Sequence, residues 1–306
     1  MDRLTDPAAI PSSAEKSRFA LAFAALLLGA SAMAVSPVLV RLADVGPYAS
    51  AFWRAFLALP FLAIWAWREA PQTPFRLADF DRNVWLAGLL FAGDLFFWHL
   101  SILSTTVANA TFLATTSPVW VTLGAWLLLR EKISKALLLG LLLCLLGGGA
   151  LVGQSYGFAP ERLMGDFYGA VTAIFFGGYV LALRNARARL GPGRLAFLST
   201  AITAACLFVI AIAREPTLLP HSLSGAAALL ALAVISQALG QGLLAVALGV
   251  LPATFSSLVI FLEAVQAAAL GWIIFGEALG LLQWLGGVLI LLGIWIARPR
   301  RGGVIP

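Results

Sequence analysis

Charge is what this sequence has least of. Asp, Glu, Lys and Arg make up 11% of its 306 residues, while 61% are hydrophobic and mean hydropathy is +0.96. Those shares exclude an ordinary soluble domain. The two cysteines, Cys144 and Cys206, both lie inside apolar stretches, which excludes a disulfide-built scaffold and reads as small core residues. There are two histidines, His99 and His221. No H-E-x-x-H or Asp-rich motif accompanies them, so neither a metal site nor an intramembrane enzyme is expected. No G-x-x-x-x-G-K-[ST] loop occurs, which excludes ATP-driven transport powered by this chain itself. The longest polar breaks, 68–82 and 154–165, are too short for a separate soluble domain.

Apolar length is what the chain has in abundance. About 20 apolar residues cross a bilayer as a helix, and ten such runs can be read: 19–42, 48–67, 84–104, 107–129, 136–153, 166–184, 195–213, 225–247, 252–275 and 281–297. The start of the first run, Phe19 onward with Ala30-Ser31-Ala32, has the look of a cleavable signal. It continues to Val40, however, and is read as a retained span. Lysine and arginine fix the orientation. With the N-terminus inside, sixteen of the twenty lie in inside segments, Arg41, Arg162 and Arg214 lie outside, and Arg54 lies within a span. Both termini are therefore expected in the cytoplasm, and the net charge of +6 needs no nucleic-acid partner.

The chain also repeats itself. GAWLLLRE at 124–131 recurs as LGWIIFGE at 270–277, an offset of 146 that also carries Gly140 onto Gly286 and Gly147 onto Gly293. Upstream, GPYASAF at 46–52 lies over GPGRLAF at 191–197. Two copies of one unit follow. Each holds five spans, so the second copy enters the membrane upside down, an architecture common among secondary transporters. The expected fold is an all-α membrane protein of ten transmembrane helices in two inverted five-helix repeats. Its parts are a disordered tail (1–18), a first repeat (19–153), a second repeat (154–298) and a basic tail (299–306).

Few ionisable groups fall within the spans, and each is a candidate for function: Arg54, Asp94, His99 and Glu263. Asp94, Trp98 and His99 share one side of the third span. They read either as a cavity wall that binds an amine or a proton, or as a buried, hydrogen-bonded cluster. Asn109 and Thr115 on the fourth span, and Gln237 and Gln241 on the eighth, offer hydrogen bonds to a substrate or tie helices together. Glu131 and Glu277 read as partners of the following helix dipole. The run Gly147-Gly148-Gly149 with Gly153 sits in a helix, not after a strand, and reads as close helix packing.

These features resemble the EamA-type drug/metabolite transporters. FWRAFLALPFL at 52–62 is similar to that family's second-helix pattern, and W-x-x-x-x-E closes both 126–131 and 272–277. Leu262-Glu263-Ala264-Val265 is similar to the ninth-helix signature, with Ala264 where the family commonly has proline, a departure bearing on a kink. The resemblance covers about 19–298. It implies export of small metabolites in the inner membrane, amino acids and aromatic ones among them; nucleotide sugars or lipid-linked sugars are the alternative. It places spans 1, 3, 4, 6, 8 and 9 around a cavity and adds Ser31 and Tyr179 as lining candidates. For Arg54 it implies a helix-tying role. Oligomeric state and coupling ion stay open.

Overall fold

A computed structural model describes residues 13–128, 130–152, 160–275 and 280–299. Among them the protein is helical, with no strand. Eight helical stretches are long and apolar enough to cross a membrane: Ser13–Leu42, Pro47–Glu69, Arg82–Ser104, Asn109–Leu128, Leu163–Ala186, Pro192–Arg214, Leu223–Leu248 and Ala253–Leu270. Two shorter apolar helices, Lys135–Leu151 and Leu281–Ala297, fall where the fifth and tenth spans were expected. At 1.5 Å per residue each reaches about 26 Å, slightly less than the hydrocarbon thickness.

Four of the stretches are interrupted within their length. The first divides into α1 (Ser13–Ala34) and α2 (Ser36–Leu42), and the second into α3 (Pro47–Phe56) and α4 (Leu59–Glu69). After the continuous α5 (Arg82–Ser104), the fourth divides into α6 (Val107–Ala114) and α7 (Ser117–Leu128). Pro37, Pro60 and Pro118 stand in the first turn of α2, α4 and α7. Proline donates no amide hydrogen and crowds the preceding turn, so a helix restarts at each. At the third break the Thr115 and Thr116 hydroxyls donate to the Phe112 and Leu113 carbonyls, the latter also accepting the Thr116 amide. Then come α8 (Lys135–Val152), α9 (Leu163–Ala186), α10 (Pro192–Arg214) and α11 (Leu223–Ala231). A π-helical stretch, Leu232–Gln241, leads into α12 (Gly242–Leu248). The last elements are α13 (Ala253–Leu258), α14 (Phe261–Phe275) and α15 (Leu281–Ala297). The α13–α14 break occurs although Ala264 replaces the expected proline. Tight bonds from Leu262 N to Val259 O and from Glu263 N to Ile260 O close it.

The two copies grip each other reciprocally. Glu69 at the end of α4 accepts the amides of Gly193 (3.2 Å) and Arg194 (3.0 Å) at the start of α10. Glu215, 146 positions later and just past α10, accepts the Tyr48 amide (2.6 Å) at the start of α3. Each carboxylate supplies an acceptor to a helix whose first amides have none. The contacts also require α3–α4 and α10 to run antiparallel. Similarly, α8 and α15 pack backbone to backbone: a Cβ on Gly140 would lie 2.5 Å from the Gly293 carbonyl, and one on Gly147 2.5 Å from that of Gly286. This bears out helix packing for Gly147. Gly153 and Glu277 lie outside the described residues. Ser134 caps α8 by accepting the Leu137 amide.

Candidate functional site

The interruptions converge on a buried cavity. Met33, Ser36 and Pro37 line it from the α1–α2 break, Arg54 from the last turn of α3, and Thr111, Ala114 and Thr115 from the end of α6. Ile260 and Glu263 come from the α13–α14 break, Gln241 from the end of the π stretch, Asp94 and Trp98 from α5, and Thr172 and Phe176 from α9. The centres of water molecules can occupy about 60 Å³ of it, room for a few waters.

The breaks explain how charge is tolerated here. Arg54 stands at the C-terminal end of α3, where the helix dipole favours a cation. Glu263 stands in the first turn of α14, where it favours an anion. Asp94 sits in mid-helix with no such help and is 5% exposed. Neither carboxylate lies within 4 Å of a cationic nitrogen among the described residues. Neither has a hydrogen-bond partner among them, yet neither is sealed in. Their oxygens are therefore left to whatever occupies the cavity. The hydroxyls of Thr111 and Thr172 are buried on the same lining without a partner among the described residues. Gln241 donates to Met33 Sδ at 3.0 Å, and its buried Oε1 has no partner among the described residues.

Of the residues singled out from the sequence, Asp94, Trp98, Thr115, Gln241 and Glu263 line this cavity. The other four do not. His99 is fully buried; its Nδ1 meets the Leu95 carbonyl at 2.7 Å and its Nε2 has no partner among the described residues. Asn109 donates to Asp166 (3.2 Å), which also accepts from Thr105 (2.7 Å), in a polar cluster apart from the lining. Tyr179 lies behind the wall, stacked on Phe91 at 4.5 Å. Gln237 also stands behind it and accepts from Arg54 Nε at 3.1 Å. Ser31 is tied to Gln266 at 2.7 Å, and Phe97 packs among Phe96, Tyr168 and Phe175. Arg54, a candidate on its charge for which the family resemblance implies a helix tie, lines the cavity as well. Thr111 and Thr172 carried no signal, because isolated threonines are ordinary in membrane helices.

A second, wider cavity of about 630 Å³ opens at the basic end of the bundle, between Glu131, Lys132 and Ser134 on one side and Arg184, Asn185 and Thr254 on the other. Burial holds the Glu131 carboxyl above the usual range, against the pull of Arg184. At the arginine-poor end, Asp44 ties the loops. Its carboxylate accepts from the His221 amide (3.2 Å) and the Ser222 hydroxyl, and its carbonyl meets His221 Nδ1 at 3.0 Å.

Comparisons with known proteins agree with this architecture. The model of the EamA-like transporter family matches 20–152 and again 163–298. A pseudopaline exporter of Pseudomonas aeruginosa is 29% identical over 70% of this chain and 74% of its own. An uncharacterized transporter of Archaeoglobus fulgidus is 27% identical over 90% of this chain and 95% of its own. A solved crystal structure superposes with a TM-score of 0.76 at 23% identity, covering 92% of this chain and 98% of that one.

Proposed function

This chain belongs to the EamA-like transporter family, and on that footing we propose that it is a secondary exporter of small metabolites, chiefly amino acids. In this reading ten helices form two inverted five-helix halves, 19–153 and 154–298, in the inner membrane with both termini in the cytoplasm. The antiparallel caps at Glu69 and Glu215 support the inverted arrangement. So do the reciprocal glycine contacts of α8 with α15. Rocking of the halves opens the central cavity to one side and then the other. The helix interruptions supply the bending points.

The observation that carries the substrate class is the meeting of Asp94, Glu263 and Arg54 on one narrow lining. Two carboxylates without partners among the described residues suit an ammonium group, which is a three-proton donor. Trp98 and Phe176 offer apolar wall to a side chain, and Thr111 and Thr172 offer hydroxyls. A diphosphate-bearing sugar would call for several cations, and the described lining holds one. A relative named as a pseudopaline exporter supports export of a small metabolite.

Counterflow of labelled amino acids and of one nucleotide sugar into proteoliposomes, with and without a pH gradient, tests this reading. Saturable amino-acid flux that falls at least about tenfold in Asp94→Asn or Glu263→Gln is expected, from loss of one charge-assisted contact. Flux of the nucleotide sugar alone would overturn it.

A further inference from the structure

Arg54 is held more elaborately than a helix tie requires. Its Nε donates to Gln237 Oε1 at 3.1 Å, and Gln237 Nε2 donates in turn to Thr200 Oγ1 on α10 at 3.2 Å. Both ends of the Gln237 amide are thus committed to fixing the guanidinium against the opposite half of the chain. The guanidinium carbon also lies 5.5 Å from the centroid of the Trp98 ring and 6.0 Å from that of Phe91. One edge is bonded, and aromatic rings flank the group.

What remains is the outer edge. Neither Nη group has an acceptor among the described residues, and neither is sealed from the cavity that Arg54 lines. Asp94 and Glu263, on the same lining, stay beyond 4 Å of it. A purely structural arginine, 4% exposed, would be expected to use those donors on protein acceptors, since leaving them unpaired in a dry site is costly. Two parallel N–H groups presented to a cavity form the fork that matches a carboxylate bidentately.

We infer that Arg54 receives a carboxylate of the transported molecule, and that Gln237, anchored by Thr200, is the positioning residue that aims it. The inference rests on reading the cavity as the transport site. It gives the substrate a carboxylate at the Arg54 end and leaves Asp94 and Glu263 for the rest of the molecule. It also gives the π stretch a purpose. The wider turn of Leu232–Gln241 presents Gln237 to Arg54 while Gln241 faces the cavity.

The test uses four probes: phenylalanine, phenylalaninamide, 3-phenylpropanoate and phenethylamine. Binding to the purified full-length protein is measured by tryptophan fluorescence and ligand-induced thermal shift, and flux by counterflow. The two carboxylates should bind at least about tenfold more tightly than the amide and the amine, the scale of one charge-assisted pair. Gln237→Leu should collapse that difference. Thr200→Val, which only loosens Gln237, should reduce the difference about threefold; it keeps the inference testable if Gln237→Leu does not fold. Arg54→Lys should retain weak preference for carboxylates without the tenfold margin. Should phenylalanine fail while 3-phenylpropanoate binds in a Gln237-dependent way, the amino-acid reading falls and the carboxylate receptor stands. Equal binding of acid and amide, or a preference indifferent to Gln237 and Thr200, overturns the inference.

Discussion

Cys144 and Ile290 are 146 positions apart in the chain and touch, with the thiol 3.6 Å from the Ile290 carbonyl. That separation is the repeat offset, so each residue meets its own counterpart in the other copy. Around them Gly140 faces Gly293 and Gly147 faces Gly286, so the first copy's pair contacts the second's crosswise. A contact that is its own mirror is what a two-fold relation between copies produces, and it supports the inverted arrangement proposed above.

The glycine seam should therefore be intolerant of a single methyl. At Gly147 a Cβ meets the Gly286 carbonyl and Ile290, and at Gly293 the Gly140 carbonyl and Cys144 Sγ. Backbone cannot yield as a flexible side chain can. Gly147→Ala and Gly293→Ala are expected to cost about 1–3 kcal/mol each in detergent thermal unfolding. Gly149→Ala, where the nearest group is Phe112 Cζ at 3.9 Å, should stay within about 0.5 kcal/mol.

Removing either reciprocal cap should weaken the bundle. Glu69→Ala and Glu215→Ala are each expected to cost about 0.5–2 kcal/mol, the range for losing an acceptor at a helix start. The first strips acceptors from Gly193 and Arg194 and the second from Tyr48. The two sites share no partner, so their effects should add in the double variant. A markedly non-additive melt would mean that the caps are coupled through the bundle.

The unpaired threonines separate function from stability. Thr111→Val and Thr172→Val delete buried hydroxyls that have no partner among the described residues, at nearly constant shape. Stability should hold or rise, because no protein hydrogen bond is lost. KM for amino-acid counterflow should rise about fivefold, the worth of one net hydrogen bond. A fall in melting temperature with unchanged KM would assign the hydroxyls to structure instead.

Arg130 adopts a left-handed backbone, φ 53°, where the Glu131 amide bonds back to the Ala125 carbonyl at 3.0 Å to close α7. That is the position at which helices favour glycine. Arg130→Gly should raise stability by roughly 0.5 kcal/mol, whereas Arg130→Ala should not.

Sidedness can be read by labelling. Leu77, in the short 3-10 turn Leu77–Asp79 between α4 and α5, and Leu219, in the α10–α11 loop, are both well exposed at opposite ends of the bundle. With Cys144 and Cys206 replaced by serine, an impermeant maleimide added to intact cells should label Leu219→Cys at once and Leu77→Cys only after lysis. The reverse pattern would invert the proposed topology.

The sequence by itself determined the membrane class, where the apolar helices lie and the presence of two copies. These follow from composition and from an offset of 146, properties that do not depend on how helices meet. Pro37, Pro60 and Pro118 stand at three of the four helix breaks, although the runs that hold them read as continuous spans. Only the tertiary structure decided which polar residues share a cavity. Asp94 and His99 lie five residues apart on α5, yet the first lines the cavity while the second turns back onto its own helix. Asn109 belongs to Asp166 and Gln237 to Arg54, pairings set by helices distant in sequence. The α13–α14 break, made without proline, and the π stretch were invisible for the same reason. A helix in a bundle settles its hydrogen bonds with its neighbours, and no window along the chain contains them.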